Sequence, residues 1–175
     1  MTANFTQALA LLLAMHSVTV NAKEPASIGP VTLDKVTIDT PITTHHRGLF
    51  NHQRVAYDAT VEAFTATAID GKPAARLVST SYVATPGSVE RPVIFAFNGG
   101  PIAASTPLHF GLLGPKRLDV PDDLNASAST FKLIDNAYSP LDVADIVIFD
   151  PASTGYSRVV DGVQPSSQFS TQADA

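Results

Sequence analysis

The sequence predicts an α/β fold built on a parallel sheet, and three observations lead there. Val93-Ile94-Phe95-Ala96-Phe97 and Ile146-Val147-Ile148-Phe149 are apolar on both faces, as strands covered from both sides are. The stretch between them is long enough for the crossover that parallel strands need. Upstream, Val55 to Ala84 has the pattern of an antiparallel hairpin.

The elements can be taken in order. Ala8 to Met15 is an apolar run that leads to Val20-Asn21-Ala22. This predicts a signal peptide over residues 1–22 and export to the periplasm or the extracellular space, with Lys23 starting the mature chain. The alternative is an amphipathic or buried N-terminal helix. The run is too short to span a bilayer, so no membrane span is expected. Residues 23–175 form one domain. Lys23 to Arg47 is rich in proline and threonine and has no period. In the next segment Val55, Tyr57, Ala59, Val61 and Ala63 fall on one face, while Arg54, Asp58, Thr60 and Glu62 fall on the other. A half-buried antiparallel strand reads this way. The apolar phase then moves to Phe64, Ala66 and Ala68, which predicts a β-bulge. Asp70-Gly71-Lys72-Pro73 makes a turn, and Ala74 to Ala84 returns as the second strand. Beyond the first buried run, Thr106 is placed as the N-cap of a short helix with Pro107 at its first position, stopped by Gly111 or Gly114-Pro115. Asp161 to Ala175 is a polar tail.

Composition removes several function classes. Of the 175 residues 45% are hydrophobic, which excludes a disordered chain. The net charge of −5 comes with no basic block, so nucleic acid is not an expected partner. No cysteine is present, which excludes disulfides, thiolate metal sites and a cysteine nucleophile. His45-His46 and His52 read as surface-loop residues, because neighbouring histidines diverge in an extended segment and no carboxylate stands at a supporting spacing. Neither a metal nor a cofactor is expected. Asp142 and Asp145 read as capping residues, and nothing marks Ser105 or Ser157 as activated.

Asn98-Gly99-Gly100-Pro101 admits two readings. Adjacent glycines after a buried strand can turn backbone N–H groups outward to hold an oxyanion. The same residues can serve only to leave the strand. The neighbourhood bears on the choice. Arg91 through Pro101, Leu108 through Pro115, and Asn136 through Ser157 together resemble the serine carboxypeptidase family, above all its bacterial members. The similarity runs from about Thr44 to Arg158. It implies an α/β-hydrolase fold, of which this chain would supply the N-terminal hairpin and the first parallel strands. It also implies a peptide or ester substrate, hydrolysed through a serine acyl-enzyme. By the same resemblance Gly100 gives one oxyanion N–H, and Asn98 and Gly99 hold the substrate's terminal carboxylate.

Departures from the family pattern stand beside the match. Ile102-Ala103-Ala104-Ser105 replaces the usual run of glycine and serines, Ser153 replaces a glycine, and Leu112 stands where a carboxylate-binding glutamate is common. No two glycines lie four residues apart, so the G-x-S-x-G elbow is missing, and no histidine follows His109. The expectation is therefore an N-terminal portion that holds none of the catalytic triad and is inactive alone. The alternatives are a secreted binding or scaffold module and one half of a split hydrolase. A strand Val93 to Phe97 left uncovered would present an edge for self-association.

Overall fold

Single-face burial organises the chain. The computed structural model describes residues 38–99, 103–123 and 125–168. Its first three strands are β1 (Ile42–Phe50), β2 (Gln53–Thr67) and β3 (Pro73–Thr85), a long antiparallel meander. Asn51 and His52, at φ 44° and 67°, make the two-residue turn between β1 and β2. Both are left-handed, as a turn that matches the twist of a hairpin requires. β4 (Val93–Ala96) and β7 (Asp145–Phe149) pair in parallel, and β7 also pairs antiparallel with β3. The sheet order is β1-β2-β3-β7-β4, with β8 (Arg158–Val159) added to β3. β5 (Lys116–Asp119) and β6 (Lys132–Asp135) form a separate two-stranded ribbon.

This corrects the expected fold class. The described residues are mostly strand, with one mixed sheet and one small sheet, which is not an α/β-hydrolase layout. Among the described residues helix is confined to short segments, the longest being Thr106–Leu108 continued by the π-helical turn His109–Leu113. The crossover from β4 to β7 holds helical turns and the β5–β6 ribbon in place of a helix that could cover a sheet face. β4 is accordingly an edge strand among the described residues, not a central one, with Val93 47% and Phe95 68% exposed. Their apolarity had suggested cover on both faces.

The other face is covered. The register sets Val61, Thr80, Ile148 and Ala96 in one row across four strands. Tyr57, Tyr82, Ile146, Ile148 and Ala96 form the core on this side with Phe50 and Leu141, and Val55 and Ala59 pack against it. Of the face expected over Val55 to Ala63, Tyr57 is buried in the core with Val55 and Ala59 against it, while the residues of both faces from Asp58 to Ala63 are half-buried alike. The bulge is displaced: the register shifts between Ala66 and Thr67, while Phe64 stays in step opposite Leu77. β1 begins inside the stretch expected to be irregular. The signal-peptide reading falls on residues outside those described. No helix among the described residues is long and apolar enough to cross a membrane.

Candidate functional site

Parallel pairing of β4 and β7 brings two loops side by side at their carboxyl ends, where binding loops gather in parallel sheets. The first begins at Asn98, and one buried residue, Ser105, holds it. The Ser105 hydroxyl donates to the carbonyl of Phe149 at 2.7 Å and accepts the N–H of Asn98 at 2.9 Å. Its own N–H donates to Asp150 Oδ1 at 2.8 Å. Ser105 therefore ties the end of β4 to the end of β7. It also occupies the cap position of the helical turn Thr106–Leu108, which runs on as a π-helical turn at His109–Leu113. Thr106 is the first helical residue and not the cap. Ser105 makes no side-chain cap bond, because its hydroxyl is committed to the strand ends.

The second loop folds around Asp150. Its Oδ2 accepts the N–H of Tyr156 at 3.3 Å, and its carbonyl accepts the Ser157 hydroxyl at 2.7 Å. Ser157 is fully buried and takes the Val78 N–H at 2.9 Å. Gly155 has φ +48°, and a Cβ there would collide with the Asp150 carboxylate. Ser153 is also left-handed, at φ 65°, without being glycine.

Asn98 and Gly99 lie at the mouth of the first loop, and Gly100 lies outside the described residues. Asn98 is engaged at both ends of its amide. Nδ2 donates to the Ala104 carbonyl at 3.1 Å, and Oδ1 accepts the Gly99 N–H at 3.1 Å. A ligand carboxylate at Gly99 would have to replace that one exposed hydrogen bond. A Cβ at Gly99 would meet nothing within 4 Å, so packing does not demand glycine there.

A cavity of about 490 Å³ opens between the covered sheet face and the helical turn. Val61, Val78, Thr80 and Ile148 line it from the sheet, and Ser105, His109, Phe110, Asp150 and Tyr156 from the loops and the turn. His109 Nε2 is hydrogen-bonded to the Tyr82 hydroxyl. Burial lowers the His109 pKa below its ordinary value, with Asp150 opposing. Burial, and then the nearby Tyr57, raises that of the Tyr82 phenol. A phenol that keeps its proton donates to a neutral imidazole, which leaves Nδ1 as the protonated nitrogen.

Ser105, His109 and Asp150 thus share one cavity without the wiring of a triad. The Ser105 hydroxyl donates to a carbonyl, not to His109, and His109 Nε2 is held by Tyr82. The remaining candidates stand elsewhere. His45 and His46 sit on strand β1 and not in a loop. His45 pairs with Asp58 at 2.6 Å, and His46 bonds Thr44 at 2.7 Å and stacks on Tyr57. Among the described residues no group of side chains could hold a metal ion. Asp145 is more than a cap. Its Oδ1 accepts Arg91 Nε and the Ala84 N–H, both at 3.0 Å, in a largely buried ion pair.

Sequence reasoning missed Asp150 as the hub of both loops. Its only local signal was Gly155 five residues on, whose need for glycine comes from that carboxylate. Compared with known proteins, the chain matches no family model and no curated protein.

Proposed function

We propose that the chain presents a serine carboxypeptidase-like substrate loop and does not itself turn a substrate over. On this reading Asn98 and Gly99 grip the terminal carboxylate of a peptide or ester, Gly100 offers one oxyanion N–H, and no cofactor takes part. On this reading the chain is exported and does not hydrolyse the substrate by itself. The observation that carries the reading is the anchoring by Ser105, which fixes the loop's two flanks while leaving Gly99 exposed in open space. Lack of turnover rests on the missing G-x-S-x-G elbow and on the way Ser105 and His109 are bonded. Incubation with a fluorophosphonate probe, beside peptidase and esterase assays, is expected to label no serine. Stoichiometric labelling with matching turnover overturns the proposal.

A second reading is a binding module with no part in hydrolysis. The cavity of about 490 Å³ favours it, because concave, mostly apolar sites of this size hold small molecules. Under either reading the exposed edge of β4 takes a second copy of the chain. Identical edges can pair about a two-fold axis, and an unpaired apolar edge invites such pairing.

A further inference from the structure

Asp150 sets the electrical character of the cavity. It is half-buried, and among the described residues it makes no ion pair with a lysine or an arginine. Its carboxylate accepts, among the described residues, the N–H groups of Ser105 and Tyr156, which leaves it further lone pairs to offer. Among the described residues no lysine or arginine lines the cavity, and burial lowers the pKa of His109, which disfavours its charged form. A half-buried carboxylate with free lone pairs can take charge-assisted hydrogen bonds from an ammonium that a ligand brings. The remaining surface is mostly apolar, with Val61, Val78 and Ile148 lining it from the sheet and Phe110 and Tyr156 among the other lining residues. Aromatic faces add to the attraction for an organic ammonium.

We propose that this cavity binds a small primary amine with an aromatic or aliphatic body, its ammonium at Asp150 and its body over Val61, Val78 and Ile148. Binding there does not rest on a substrate carboxylate at Asn98 and Gly99, although Ser105 both lines this cavity and anchors that loop.

The test uses the full chain and three probes of similar shape: phenethylamine, 2-phenylethanol and 3-phenylpropionate, titrated by NMR or calorimetry. Phenethylamine is expected to bind saturably, at least tenfold more tightly than the alcohol, with the carboxylate weakest. Asp150→Asn is expected to remove the preference for the amine. Because Asp150 also ties two loops, Val61→Phe serves as a second variant. It fills the cavity from a strand and is expected to abolish binding while the far-ultraviolet spectrum is unchanged. Equal affinity for the three probes, no saturable binding of the amine, or unaltered binding by Val61→Phe each overturns the proposal.

Discussion

Ser153 holds a left-handed conformation that a side chain makes unfavourable, in a loop whose neighbour Gly155 adopts it freely. Left-handed backbone costs a non-glycine residue roughly 1–2 kcal/mol, and glycine gives back about half of that gain through the freedom of the unfolded chain. Ser153→Gly is therefore expected to stabilise the fold by about 0.5–1 kcal/mol, seen as a higher midpoint in chemical denaturation. His109 adds a pH dependence. Its pKa lies below 6.5 in the folded chain, chiefly through burial, so the unfolded chain takes up the proton first as the pH falls. Its contribution is complete above pH 6.5 and is lost as the pH drops from there towards the lowered folded value. Melting curves between pH 7.5 and 5 should fall accordingly, and His109→Gln should flatten that slope. At this scale the sequence was legible where chemistry is local. Asn98-Gly99-Gly100-Pro101 marks the end of a strand from four residues alone, whether as a plain exit or as a binding loop. The bond from Ser105 to Asp150 spans 45 positions and leaves no local trace.

Among the elements, burial on one face decided what could be read. β2 sets Val55, Tyr57 and Ala59 against the core, and the alternation of apolar and polar residues in its sequence marks that side. β1 escaped notice because it is exposed on both faces over Ile42 to Arg47, so Thr-Thr-His-His carries no period. β5 and β6 are four residues each, too short for a pattern to emerge. β4 misled for a different reason: apolar side chains on two faces imply cover on two faces, and only one is covered. Asp145 belongs here as well, since it joins three elements. It takes Arg91 just before β4 and the Ala84 N–H of β3 from its own place at the start of β7. Arg91 also donates to the Leu141 carbonyl at 2.9 Å. Removing one partner of a buried pair strands the other charge, so Asp145→Ala is expected to cost about 3–5 kcal/mol, measurable by urea unfolding.

Among the described residues the sheet ends in an apolar patch on the side of β4 away from the core. Val93, Phe95 and Phe97 are exposed there, and Phe97 stacks on Phe149 with ring centroids 4.9 Å apart. With the β4 edge also unpaired among the described residues, a second copy is expected to associate in solution. Sedimentation velocity should show dimers or larger species that dissociate in Phe95→Lys, whose charge protects the edge. A monomer at all concentrations would count against the pairing. What keeps so short a strand in place is not its ladder alone. At one end Arg91 is bound to Asp145, and at the other the Asn98 N–H is bound to Ser105, which is itself bound to the last residue of β7. A slip of two residues in either direction would preserve which side chains face the core, so the pleat offers no protection against it. Such a slip would tear one fastening or the other. β4 therefore behaves like a cable moored at both ends: it can lift away from the sheet only after both moorings part, and it cannot creep along it.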